Sequence, residues 1–155
     1  MAPFLIWLES SAFSVWVRES PSVFAFPGIL SVHTVGMGLV AGINAIVALR
    51  ILGMAPGVPA AELKRFFPFM WFGFWINAVS GVALLIGYPT KALTNPVFYA
   101  KLAFIAAAVA LIGWIEKATS GDRARRLAGA SLACWAAAIT SGRFLAYTYH
   151  KLMSL

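Results

Sequence analysis

Four long stretches of this chain are mostly apolar, and short connectors rich in polar residues, glycine and proline separate them. They run over 23–52, 66–87, 97–115 and 127–152. A bilayer core about 30 Å thick needs about 20 consecutive apolar residues in helical form, so each stretch predicts a membrane-spanning helix. Breakers mark the ends: Gly53, Pro56, Gly57 and Pro59 after the first, Gly87, Pro89 and Pro96 after the second, and Gly121 after the third. A different pattern precedes the first stretch. Over 3–19, Phe4, Leu5, Leu8, Ala12 and Val15 recur at helical spacing, while Trp7, Ser11, Ser14 and Arg18 share another face. That predicts one amphipathic helix lying in the membrane interface. Ser20-Pro21 fits an N-cap with proline at the first helical position of span one, and Pro27 is expected to bend that span. The expected fold is therefore all-α: a single membrane domain over 1–155, an integral four-helix bundle running up-down-up-down, with an N-terminal interfacial helix.

Composition supports the membrane reading. The 155 residues are 61% hydrophobic and only 11% charged, with a mean hydropathy of +0.85, whereas soluble domains carry about 25% charged residues. The net charge of +7 suggests no nucleic-acid partner, because the basic residues cap apolar runs instead of forming a stripe with interleaved aromatics. Cys134 is the single cysteine, so no internal disulfide is expected. The run Phe4 to Leu8 is broken by Glu9 and lacks a basic flank, and no cleavable signal peptide is read there. The connectors after spans one and three hold seven Lys and Arg residues, against five on the other side. Lys101 and Arg143 fall inside spans, which widens the bias. Both termini are therefore placed outside the cytoplasm, in a multi-pass protein of the bacterial inner membrane.

Ionisable groups within a bilayer are costly and mark candidate sites. Spans one to four contain no Asp or Glu apart from Glu116 at a boundary, which argues against carboxylate proton relays and hard-cation sites. His33, Lys101, Arg143 and His150 remain, and the alternation of spans brings all four to the extracytoplasmic half. Two imidazoles and two cations without a carboxylate suit an anionic cofactor with a metal at its centre. Haem b, one per chain at most, meets that description, with His33 and His150 as metal ligands and Lys101 and Arg143 facing propionates. Thr140, Arg143, Tyr147 and His150 follow a 3-4-3 spacing on one face of span four. Gly36, at i+3 from His33, leaves room for a flat macrocycle, and Tyr147 or Trp135 would line the pocket. Trp71, Trp75, Asn77 and Ser80 of span two form a candidate inner lining. Plainer readings stand beside these: Gly38-x-x-x-Gly42 as helix packing, Lys101 and Arg143 reaching headgroups, His150 as an interfacial residue. Depth also matters, because His150 lies near the end of span four whereas His33 is several residues inside span one.

Several segments carry a resemblance: Trp7-Leu8-Glu9-Ser10, Val17-Arg18-Glu19-Ser20, the run His33 to Leu39, Leu49 to Gly53, Asn95 to Phe98 with Lys101, and Gly142 to Tyr147. In these the chain resembles a family of small bacterial four-helix membrane proteins, and more loosely four-helix b-type cytochromes. The resemblance implies that His33, Lys101 and Arg143 belong to a recurring pattern, and it brings no established activity. The function expected is single-electron transfer through haem b near the extracytoplasmic face, exchanging with quinol or a periplasmic redox protein. Partners expected are the lipid bilayer and either a homo-oligomer or a larger complex. Two alternatives are a soft-metal or small-solute permease using His33, Met37, Cys134, His150 and Met153, and a structural accessory subunit. Hydrolysis is disfavoured, since neither histidine has an acid near it.

Overall fold

The computed structural model describes residues 2–117 and 121–152, with the side chains of residues 2, 60, 61, 64, 116, 146 and 148–152 outside that description. Among the described residues the chain is helical throughout, without a strand. The elements are α1 (Ala2–Glu9), α2 (Ala12–Glu19), α3 (Phe26–Ile51), α4 (Ala60–Leu63), a 3-10 turn over Lys64–Phe66, α5 (Phe67–Gly87), α6 (Pro89–Leu93), α7 (Pro96–Lys117) and α8 (Asp122–Leu152). Among the described residues three helices are long and apolar enough to cross a membrane: Phe26–Ile51, Phe67–Gly87 and Pro96–Ile115. The fourth long helix, α8, has 31 residues. Its arginine-rich start and its Ala, Ser and Thr content leave it less apolar than the other three.

The N-terminal segment corrects the expected single interfacial helix. Two serines break it: Ser10 Oγ donates to Trp7 O at 2.9 Å and Ser11 Oγ to Leu8 O at 2.7 Å. Ser11 Oγ also accepts from the Ser14 backbone N–H at 3.3 Å, capping α2. The pair of helices is docked, not merely adsorbed, for Ser14 and Val17 are fully buried. Ser14 Oγ and Arg18 Nη1 both donate to Gly87 O, at 3.2 and 3.3 Å. Arg18 Nη2 donates to Glu9 O at 3.0 Å. One guanidinium thus joins the ends of α1, α2 and α5, satisfying carbonyls that a helix terminus leaves open.

The start of α3 differs from expectation as well. Ser20 closes α2, a turn covers 23–25, and the helix opens only at Phe26. Pro27 sits in its first turn. It bends nothing, because its missing N–H would have no helical partner there anyway. At the other end Gly53 (φ 85) takes the left-handed cap: its N–H reaches Arg50 O at 3.1 Å, and the Met54 N–H reaches Leu49 O at 2.9 Å.

Packing is tightest between α3 and α5. A methyl group added at Gly36 would lie 2.8 Å from Asn77 N and 2.9 Å from Gly73 O. One added at Gly73 would lie 2.6 Å from Leu39 Cβ. The two glycines let the backbones approach, which is how membrane helices gain contact where burial from lipid adds little. Gly36 is therefore a packing residue, and no flat slot opens at it. A Cβ at Gly38 or Gly42 would meet nothing within 4 Å, so among the described residues the packing motif expected at this pair is not used.

Two clusters of buried apolar side chains lie toward the Arg50 end of the molecule. Val40, Met70, Ala108, Ile112 and Trp135 form one, joining α3, α5, α7 and α8, and Val47, Leu63 and Ile115 form the other. Between them Ser131 Oγ donates to Asn44 Oδ1 at 3.0 Å, tying α8 to α3.

We expect Gly36→Ala to wedge α3 from α5 and cost about 1–3 kcal/mol. Gly38→Ala, facing open space, should stay within about 0.5 kcal/mol of the parent protein. Thermal unfolding of the two variants in detergent compares them directly, and equal effects would refute the close α3–α5 contact.

Candidate functional site

His33 stands two helical turns into α3, on the face turned to α5, because Gly36 and Gly73 hold those backbones together one turn deeper. Its Nδ1 lies 3.0 Å from Asn77 O and 3.1 Å from Ser80 Oγ. A carbonyl oxygen only accepts, so Nδ1 carries the proton and donates. Ser80 Oγ directs its own proton to Ile76 O at 2.6 Å. Asn77 closes the clasp from the other side, its Nδ2 donating to His33 O at 2.8 Å. Gly81 gives the ring its space, since a methyl group there would come 3.2 Å from His33 Cε1. In the neutral ring this arrangement leaves the lone pair on Nε2, as in a metal-ligating histidine whose Nδ1–H is held by a carbonyl.

The second group is Lys101, early in α7. It is half-buried and an electrostatic neighbour of His33. Its Cε and Nζ lie 3.7 and 3.8 Å from the position a Cβ would occupy on Gly142 of α8. The glycine makes a seat for the lysine stem. The five acidic residues are Glu9, Glu19, Glu62, Glu116 and Asp122, and none stands in the chain near His33, Lys101 or Gly142. Among the described residues Lys101 has no ion pair. The imidazole, whose Nε2 has Asn77 Nδ2 at 3.4 Å, and the ammonium with its three N–H donors are thus electrostatic neighbours, and among the described residues neither is paired with a carboxylate.

The other sequence candidates are placed elsewhere. Arg143 is exposed, and Tyr147 is 69% exposed. With Thr140 also exposed, the 3-4-3 face of α8 exists but turns outward, because α8 buries its Ala128, Ser131, Trp135 and Ala138 side instead. Trp135 is in the core cluster with Val40, eight residues and about 12 Å along the helix from Arg143, so it does not line the His33 region. Gly36 is filled by α5, as described. The His150 side chain lies outside the described residues. Asn77 and Ser80 are where a lining was expected, but Trp75 points outward, 63% exposed. The seats supplied by Gly81 and Gly142 were not foreseen. Only their spacing against His33 and Lys101 would have marked them, and that needs the helix pairing.

For a haem, the fit is divided. One imidazole has the ligand tautomer and one cation stands near it, whereas the slot expected beside Gly36 is closed. For a soft metal, Cys134 packs against the Trp135 cluster, away from His33. Among the described residues no group of three His, Cys, Asp or Glu side chains gathers to hold a metal. Compared with family models, curated proteins and solved structures, the chain matches none.

Nitrogen-15 spectra of histidine-labelled protein should show His33 with a protonated Nδ1 and a bare Nε2. Ser80→Ala should keep that tautomer, because Asn77 O remains as acceptor. Asn77→Ala should cost about 0.6–1.7 kcal/mol, the range of interhelical hydrogen bonds in membranes. A bare Nδ1 in the parent protein would overturn the clasp.

Proposed function

We propose that the chain is a bacterial inner-membrane protein carrying single electrons near its extracytoplasmic face through one b-type haem. His33 would hold the haem iron through Nε2, and Lys101 would neutralise a propionate. The haem, when bound, supplies the one-electron chemistry; the protein residues fix the imidazole tautomer, exclude competing carboxylates and provide the cation. The observation that carries this reading is the Nδ1 bond to Asn77 O at 3.0 Å, which puts the ring's lone pair on Nε2, where its one neighbour among the described residues is a long contact of 3.4 Å from Asn77 Nδ2. Quinol or a periplasmic redox protein would be the exchange partner, and assembly as a homo-oligomer or complex subunit is part of the same proposal.

A second reading follows from the closed slot at Gly36. A ligand smaller than a macrocycle, such as a quinol headgroup, would use the same pair: Lys101 donating to one ring oxygen and His33 Nε2 accepting from the hydroxyl of the other. It needs no second histidine.

The topology we propose places α8 as the fourth span of an up-down-up-down bundle, with both termini outside. It rests on the seven basic residues of the two connectors against five on the other side, and on Arg125 Nη2 donating to Leu52 O at 3.2 Å, which joins the start of α8 to the end of α3.

Protein purified from a haem-replete host should show sharp α and Soret bands on reduction, lost in His33→Ala and weakened in Lys101→Met. A colourless parent protein that co-extracts quinone would favour the second reading, and a colourless, quinone-free one would remove both. For topology, in a Cys134→Ser background, an impermeant maleimide should label Val23→Cys in spheroplasts and Met54→Cys only after permeabilisation. The reverse order would invert the orientation.

A further inference from the structure

At the opposite end of the molecule α8 begins with Asp122, Arg123, Ala124, Arg125 and Arg126. The three arginines behave differently. Arg125 turns toward α3, donating to Leu52 O and lying 3.6 Å from the Cβ position of Gly53. Arg123 and Arg126, both exposed, line an open groove of about 510 Å³ together with Leu127 and Ala130. Positions 123, 126, 127 and 130 follow the i, i+3, i+4, i+7 rule and so share one face. Neither Arg123 nor Arg126 has an ion pair among the described residues.

The groove has a polarity gradient along its length. Two guanidiniums lie at the end of the helix, and two apolar side chains follow one to two turns further in. Its level is set by neighbours: Arg125 meets the last turn of α3, and α7 ends at Lys117 only a few residues before α8 starts. The arginines therefore sit where two apolar helices stop, and Leu127 and Ala130 sit beside their apolar lengths. Guanidiniums recognise phosphate oxygens through paired N–H donors. A free anion would use only the arginine half of this surface, whereas a lipid would use both halves, its phosphate at the arginines and its chain along Leu127 and Ala130. The volume lies within the range of small-molecule sites, and basic pockets at a helix end are a recurring place for anionic headgroups.

We propose that this groove binds one anionic phospholipid, its phosphate held between Arg123 and Arg126 and its acyl chain lying over Leu127 and Ala130. The site is separate from His33 and does not depend on what binds there. Arg125, occupied by Leu52 O, positions the helix end and does not contact the lipid.

The test uses the full chain in detergent, offered equal amounts of phosphatidylglycerol and phosphatidylcholine, with retained lipid read by native mass spectrometry. One phosphatidylglycerol should be retained in preference to phosphatidylcholine. Arg123→Gln with Arg126→Gln should cut that retention at least about tenfold, the effect of losing one charge-assisted hydrogen bond or more. Arg65→Gln, removing an exposed arginine paired with Glu62 at 3.3 Å, should leave it unchanged. Equal retention of the two lipids, no loss in the double variant, or a matching loss in Arg65→Gln would overturn the proposal. Complete displacement by inorganic phosphate would also overturn it, since the site would then take the free anion. If the double glutamine variant elutes as aggregate, Arg123→Lys with Arg126→Lys replaces it. That pair keeps the charge but loses the fork, and retention should drop severalfold; unchanged retention refutes the site.

Discussion

The close approach of α3 and α5 at Gly36 and Gly73 is the contact on which the rest of the His33 end depends. In lipid, apolar side chains gain little by leaving one hydrocarbon surface for another, and helices are held by close packing and hydrogen bonds. With a side chain at either glycine, the backbones would separate by the width of a methyl group. The Asn77 carbonyl would then withdraw from His33 Nδ1, and the Asn77 amide from the His33 carbonyl. A pair of residues without chemistry of their own thus fixes the tautomer of the one imidazole whose surroundings are described.

The molecule divides its polar and apolar resources between its two ends. Toward Arg50, buried aliphatic and aromatic side chains of four helices interlock around Val40 and Trp135. Asn44 and Ser131 supply the polar tie there, although Asn44 Nδ2 and Trp135 Nε1 have no acceptor among the described residues. Toward His33 the helices meet through glycines and hydrogen bonds. This end also holds Lys101, which has no ion pair among the described residues.

Much of the fold was legible because long apolar runs have few alternatives to helix in a membrane. Phe67–Gly87 and Pro96–Lys117 start and stop within two residues of the expected bounds. The errors arose where local polar groups competed with periodicity. Ser10 and Ser11 cut a helix that the apolar spacing alone would have continued, and Pro27 set a start where a kink was expected. Of the site, His33 and Lys101 were visible as ionisable residues inside apolar runs. Which way the α8 face turned was not visible: Thr140, Arg143 and Tyr147 share a face, but so do Ala128, Ser131, Trp135 and Ala138. Only tertiary contact decides which of two faces a helix buries. For α8 it is the less polar one, with Ser131 reaching Asn44.

The clasp of Arg18 and Ser14 on Gly87 O joins residues 69 and 73 positions apart. The α1–α2 pair leaves the ribosome before α5, yet its seat exists only once α5 has been made and turned back. Until then Val17 and the guanidinium of Arg18 lack their partners, and the pair has only the lipid surface to rest on. Its docking must therefore wait for α5, so that two helices made before α5 take their final seat only after it.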